Sequence, residues 1–426
     1  MTGYADSMWS RLPVFFACAV LALSACSAAT SESGSAGDES RSQSSDGGKR
    51  HAHAADAATS SQPRWVVLLG DSFISGEGAR WAGNTLGPAS SVDALGRTAY
   101  LDNSNGAAPR SCHRANVSAA FGVTRVKNLA CSGAITTSTG RGADFTPGLD
   151  FFHDGMGHLG QASALQRFAT HHVVSDVAIS IGGNDFGFSS VVTRCITGFI
   201  WTVGSEPSYC HDDRQLSGAF SAVQIDKMSL RIERALRRVG SAMHRAGYQA
   251  SDYRIVVQNY PSPLPPGKLL RYPETLQGRY VRGGCPVYDE DATWAHSIVT
   301  PAINAAVSSA VEASQLTNLA LLDFSSLLDG HRVCETGSRL VTSDGVDSWR
   351  PSPGARLQLE WVNRLHVSAA PWQLQESLHP NYWGVRAMRR CLAEATSQVR
   401  AALEPCAKGG SSVSKLRGRP GTLTLR

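Results

Sequence analysis

A chain of 426 residues, 42% apolar and 18% charged, has the composition of a globular protein with a buried core, which excludes a disordered or fibrous chain. Its formal net charge of +5 is local, because Lys408, Lys415, Arg417, Arg419 and Arg426 follow Cys406 with no acidic residue among them. The remainder is balanced, so residues 407–426 read as a short basic flexible tail rather than a nucleic-acid or membrane patch, and no nucleic-acid partner is expected.

The amino end carries a targeting pattern. Arg11 precedes the apolar stretch Leu12–Ala25, too short to span a bilayer comfortably but suited to the core of a signal peptide. The stretch ends Leu23-Ser24-Ala25-Cys26, and small residues before a cysteine resemble the bacterial lipobox. Residues 1–25 are therefore expected to leave as a lipoprotein-type signal peptide, with Cys26 lipidated; ordinary signal cleavage is the alternative. Either route exports the protein, to the cell envelope through an N-terminal lipid anchor in the membrane or as a secreted form. Met8 could be the true start, since Asp6 is unusual in a positively charged leader.

Residues 26–63 are mostly Ser, Ala, Gly, Asp and His, too poor in large apolar side chains to offset their ordering entropy, and read as a disordered tether. From Arg64 onward, strand-like runs at Trp65–Leu69, Arg125–Leu129, Asp176–Ile181, Arg254–Gln258 and Asn318–Phe324 alternate with helical patterns at Gln161–Ala169, Gln224–Ala246 and Ala292–Ala313. Strands alternating with helices predict parallel βαβ units with right-handed crossovers. Long insertions follow the strands at Phe73–Thr124, Phe186–Val223, Pro261–Glu290 and Ser325–Leu374. Loops of that length in a compact domain are usually functional.

Without the leader and Cys26, the cysteines are Cys112, Cys131, Cys195, Cys210, Cys285, Cys334, Cys391 and Cys406. Eight cysteines in an exported chain with no CxxC pair point to disulfides rather than zinc ligands. A sequential pattern, Cys112–Cys131, Cys195–Cys210, Cys285–Cys334 and Cys391–Cys406, closes each bridge within one local segment and braces the insertions. No metal and no organic cofactor is indicated.

Residues able to do chemistry gather at the strand ends. The first strand runs into Gly70-Asp71-Ser72, delivering a serine to the edge where open α/β sheets bind ligands. Ser72 reads either as a nucleophile or as a cap for the following helix. The second strand ends near Gly133, where a backbone N–H can approach a ligand closely. Asn184 follows the third strand in Gly182-Gly183-Asn184-Asp185. Near the carboxyl end, Glu376-Ser377-Leu378-His379-Pro380-Asn381 puts a histidine before a proline, which biases it toward an extended or turn conformation. Asp71 and Asp185 read as turn supports rather than catalytic carboxylates.

These blocks, in this order, resemble the GDSL esterase/lipase family of the SGNH-hydrolase type. The extended forms Gly-Asp-Ser-Phe-Ile-Ser-Gly-Glu-Gly and Glu-Ser-Leu-His-Pro-Asn look most like secreted actinobacterial members. The resemblance spans residues 64–406 and implies one α/β hydrolase domain, a flavodoxin-like three-layer αβα sandwich around a five-stranded parallel sheet with long disulfide-linked insertions. It implies Ser72 as nucleophile and His379 as base, with oxyanion donors from Ser72, Gly133 and Asn184. The family usually has Asp three residues before the histidine, where this chain has Glu376; either that carboxylate or a backbone carbonyl would orient His379. The implied reaction is hydrolysis of carboxylic esters, acyl or lipid-like, through an acyl-enzyme. Carbohydrate O-deacetylation and a non-enzymatic surface binding protein are the rival readings. The aromatic and apolar residues Phe186, Phe188, Phe199, Ile200 and Trp201 form either an acyl-binding wall or the packing of an insertion. A monomer is expected.

Overall fold

The computed structural model describes residues 63–101, 112–115, 125–346, 348–350, 353–365 and 375–395, and the backbone of Arg417–Gly418. The leader, the lipidation site Cys26, the tether and most of the basic tail lie outside the described residues.

The sheet is built from β1 (Trp65–Gly70), β2 (Arg125–Asn128), β3 (Val174–Ser180), β4 (Arg254–Gln258) and β5 (Leu319–Leu322). All are parallel and ordered β2-β1-β3-β4-β5, with Val66 opposite Val126 and Asp176, Ala178 opposite Val256, and Val256 opposite Ala320. A two-residue strand β6 (Arg417–Gly418) pairs antiparallel with β5 at the edge. The central strands are nearly continuous apolar runs because both faces are covered, as parallel sheets require. The order reverses between β1 and β3, so the sheet has its topological switch point at the end of β1.

Helices α1 (Ser72–Ser75), α2 (Gln161–Ala169), α3 (Phe188–Thr202), α4 (Arg214–Gly218), α5 (Ala222–Arg245), α6 (Asp289–Trp294), α7 (Thr300–Ala313), α8 (Pro353–Gln358) and α9 (Tyr382–Ala395) complete the described elements. On one side of the sheet α5 packs between α2 and α7, burying Ile232, Leu236 and Val239 while Arg234 and Arg237 stay in solvent. On the other, Val385, Met388 and Leu392 of α9 face Leu68 of β1 and Gln258 of β4. The single helix expected over Ala292–Ala313 is interrupted by a π-helical stretch, Ala295–Val299. Pro301 at the start of α7 has no N–H to give the preceding turn.

The insertions pack on one another above the strand ends. Trp81, Ala82 and Val92 of the first join Val341, Val346 and Leu359 of the last in a second apolar cluster apart from the main core. Buried Glu360 ties three segments together, accepting from Asn84 Nδ2 at 2.5 Å, Cys334 N at 2.8 Å and Arg271 Nη2 at 3.2 Å. Disulfides join Cys112–Cys131, Cys195–Cys210 and Cys285–Cys334. Cys391 is also disulfide-bonded, but Cys406 lies outside the described residues. No helix among the described residues is long and apolar enough to cross a membrane.

The end of β1 tolerates only glycine. Gly70 has φ of 124°, and a Cβ there would stand 1.8 Å from Ser180 O of β3. Gln161 clamps the same residue, accepting from Gly70 N at 2.6 Å and donating to Gly70 O at 2.9 Å. Gly70→Ala is expected to cost about 4 kcal/mol or more, as strain at special backbone positions can; denaturant unfolding would measure it, and a loss within experimental error would contradict the close approach.

Candidate active site

Asp71 accepts from Phe73 N at 3.1 Å and thereby caps α1. The cap role left open for Ser72 is thus taken by its neighbour, and Ser72 becomes the first helical residue. Its N–H belongs to the group of amides that have no intrahelical acceptor. Ser72 is 6% exposed, and its Oγ lies 2.8 Å from His379 Nε2. His379 follows Leu378, a residue with φ of 61°, and its ring packs 5.6 Å from that of Phe73.

The other ring nitrogen meets one of the two partners considered for it, a backbone carbonyl and not Glu376. His379 Nδ1 lies 3.2 Å from the backbone carbonyl of Ser377, whereas Glu376 turns away from the histidine. The Glu376 carboxylate accepts from Trp81 Nε1 at 2.6 Å and from the Tyr100 hydroxyl at 2.5 Å. Glu376 is fully buried there. Burial raises its pKa against the lowering effect of those two hydrogen bonds. Its role in the geometry is to fasten the first insertion to the loop that carries His379.

Asn184 opens a short 3-10 turn after β3 and gives its Nδ2 to Ala134 O at 3.0 Å. Gly133, the residue before Ala134, is exposed with φ of 74°. Ser72, Asn184 and His379 line one pocket, while Gly133 sits beside it on the loop that Asn184 holds. Asp185 accepts from Thr136 N at 3.1 Å and from Thr136 Oγ1 at 2.7 Å, fixing the same loop. Burial lifts Asp185 to about 6.

Several residues of the site carry no signal in the sequence pattern. The Tyr260 hydroxyl donates to Asp71 Oδ2 at 2.5 Å and accepts from Gly183 N at 3.1 Å, bridging the ends of β1 and β3. Burial pushes the Asp71 carboxyl up to about 7, against its bond from Tyr260. Glu77, fully buried in the turn after α1, has Oε2 3.8 Å from His379 Nε2. Its Oε1 is 2.9 Å from His113 Nδ1, and Ser132 Oγ donates to Oε2. A charged residue inside the otherwise small and apolar Gly76-Glu77-Gly78 turn is the one sequence feature that could have flagged it.

The pocket at Ser72 holds about 800 Å³ counted to its open mouth, with Phe73, Phe188, Val192, Ile303 and Leu378 among its walls. A second space of about 550 Å³ adjoins it behind Phe188, Val192, Pro263, Thr300 and Leu378. Of the five residues offered as an apolar wall, Phe188 alone lines the pocket at Ser72. Phe186 stacks on Phe220 within its own insertion and Phe199 packs on Tyr288 of the next one, while Trp201 is 57% exposed. The periodicity of a helix does not reveal which apolar face meets a cavity and which meets a neighbour.

Among the described residues, Cys195, Cys210 and Asp291 bring potential metal-ligand atoms within 4.8 Å of one another. The two sulfurs are bonded to each other, and Asp291 already accepts from Cys210 N and His211 N, both at 3.1 Å. That donor set suits a disulfide with a capped loop rather than a metal.

No protein-family model and no curated protein matches the chain. Among solved structures, it is similar to an extracellular lipase from Streptomyces rimosus, at 20% identity over 75% of this chain and 93% of that one, with a TM-score of 0.38. It is also similar to a family two carbohydrate esterase from Clostridium thermocellum, at 14% identity over 62% of this chain and 54% of that one, TM-score 0.26. A further carbohydrate esterase, with divergent catalytic and non-catalytic binding functions, is 12% identical over 70% of this chain and 66% of that one, TM-score 0.27. At such values the site stands on its own geometry.

Two outcomes follow from that geometry. Ser72→Ala should lower ester turnover by about 10⁴-fold or more, whereas Glu376→Gln should stay within roughly tenfold of wild type and lose thermal stability instead; equal losses in initial-rate assays would restore Glu376 as the partner of His379. The second outcome concerns Asp71. Its pKa in the folded state lies above the ordinary carboxylate value, so the native state holds the proton more tightly than the unfolded chain. The stability this provides is complete below about pH 4 and is lost as pH rises through about 7. Melting temperatures of wild type should therefore fall relative to Asp71→Asn across that window, and parallel curves would refute the raised value.

Proposed function

We propose that the protein is an exported serine esterase that hydrolyses carboxylic esters with an apolar acyl group. The observation that carries this reading is the 2.8 Å contact between Ser72 Oγ and His379 Nε2 in the lining of an apolar pocket that Asn184 also lines. A serine hydroxyl needs a neighbouring base to become a useful nucleophile, and His379 is positioned to take its proton. Ser72 Oγ attacks the ester carbonyl, the proton passes to Nε2, and the tetrahedral intermediate places its oxyanion toward the N–H groups of Ser72 and Gly133 and the Asn184 amide. Each well-placed donor of that kind is worth about 10²–10³ in rate. Collapse releases the alcohol, which takes its proton from His379. Water activated by the same imidazole then releases the acid from the acyl-enzyme.

The lining favours an acyl chain. Phe188, Val192, Ile303 and Leu378 offer no side-chain hydrogen bonds to a sugar, and Phe188, Val192 and Leu378 also line the second apolar space. The disulfides support an oxidising compartment, in keeping with export as an anchored lipoprotein or a secreted enzyme.

A p-nitrophenyl ester series from acetyl to dodecanoyl, beside an O-acetylated polysaccharide, tests the reading. Serine-dependent turnover should peak beyond acetyl, and Val192→Trp should move the optimum toward shorter chains. Preference for the polysaccharide would make the enzyme an O-deacetylase, and no turnover that Ser72→Ala abolishes would overturn the hydrolase.

A further inference from the structure

We propose that Glu77 is a positioning residue whose fixed negative charge supports His379 from the Nε2 side, the side that faces Ser72. The proposal rests on the reading of Ser72 and His379 as nucleophile and base. In acyl transfer the imidazole becomes positively charged in the transition state, and a carboxylate on Nδ1 commonly supplies the counter-charge. Here, among the described residues, Nδ1 meets the Ser377 carbonyl, a neutral dipole, and Glu376 is engaged by Trp81 and Tyr100. Among the described residues, Glu77 is the carboxylate that approaches the ring.

Distance decides what Glu77 can do. Its Oε2 lies 3.8 Å from Nε2, beyond hydrogen-bond range, so it does not compete with Ser72 Oγ, 2.8 Å away, for the proton. Coulomb attraction falls only as the inverse of distance, and it is weakly screened at this separation because Glu77 is fully buried while the His379 side chain is 21% exposed. Glu77 can therefore stabilise the imidazolium without capturing its proton.

The surroundings keep Glu77 ionised. Burial raises its pKa, yet the charge of His379, the hydrogen bond and charge of His113 and the Ser132 hydrogen bond together bring it below the ordinary value. Its two hydrogen-bonding partners share an origin: His113 and Ser132 each follow one cysteine of the Cys112–Cys131 disulfide. The His113 ring stacks 4.9 Å from Tyr100. Among the described residues, the neighbouring charged groups of the active edge are committed elsewhere. Asp71 is bound by Phe73 N and Tyr260, Glu376 by Trp81 and Tyr100, and Arg80 pairs with Asp93.

The test compares wild type, Glu77→Gln and Glu77→Asp by kcat and KM on p-nitrophenyl butyrate across pH. It adds NMR titration of the His379 ring in Ser72→Ala and in Ser72→Ala/Glu77→Gln. Removing the charge should lower kcat by about 10- to 100-fold with little change in KM. It should also move the acid limb of kcat/KM and the NMR midpoint down by about one pH unit, because an imidazolium loses a close opposite charge. Glu77→Asp should keep the wild-type limb. If Glu77→Gln does not fold, Glu77→Gln/His113→Gln replaces the pair with two amides that can bond each other, and the same shifts are expected. A folded charge-free variant with an unmoved limb and midpoint overturns the proposal, as does a rate loss without either shift. An NMR shift in a protein with no ester turnover would instead refute the esterase reading and leave the electrostatic coupling standing.

Discussion

β1 and β3 approach so closely at Gly70 that no side chain fits between that residue and Ser180 O. The contact lies at the switch point of the sheet, and the rest of the active edge is hung from it. Asp71 N donates to Ser180 O at 2.9 Å, Gln161 brackets the Gly70 peptide from below, and Tyr260 joins Asp71 to Gly183 from the next strand. Ser72 therefore starts its short helix from a rigid platform. Its hydroxyl meets a histidine more than 300 residues later in the chain without either element needing to move.

The same platform explains why buried carboxylates within a short stretch behave in opposite ways. Asp71 meets only neutral donors and, in addition, the negative charge of Asp185, so burial wins and lifts it to about 7. Glu77 is equally buried but faces two imidazoles and the Ser132 hydroxyl, and it falls below its ordinary value. Burial sets the cost of charge, and the charge on the neighbours decides whether that cost is met. One turn of chain thus supplies a carboxyl readily kept neutral and another held negative.

Much of this edge is readable in the sequence because it is written in short local signals. Apolar runs ending in glycine locate the ends of β1 and β3, a proline locates the loop of His379, and adjacent cysteines in the chain are those that pair in three bridges. What escapes is written across the chain. Glu376 stands three residues before His379, and that spacing suggests a shared hydrogen bond. Trp81, 295 residues away, takes the carboxylate instead. Glu77 has no periodic or motif context that would connect it with His113 or Ser132. Phe188 is separated from Phe199 only by which face of their helix meets the cavity, and Phe186 lies in the turn before it. Local pattern carries backbone conformation well; it does not carry the choice of partner among distant side chains.

The disulfide between Cys112 and Cys131 links that long-range order to the compartment in which the protein folds. By closing a loop with a sequence separation of 19, a bridge of this size contributes about 3 kcal/mol through the unfolded chain. Its structural consequence is more specific. His113 and Ser132 come from separate segments, and the bridge holds the residues before them at a Cα separation of 4.0 Å, so both reach the one carboxylate of Glu77. Ser132 N also donates to Cys112 O at 3.1 Å, and Gly133 is the next residue along. The covalent bond that forms outside a reducing cytoplasm is therefore the same bond that brings the partners of Glu77 together beside the glycine expected to face the oxyanion.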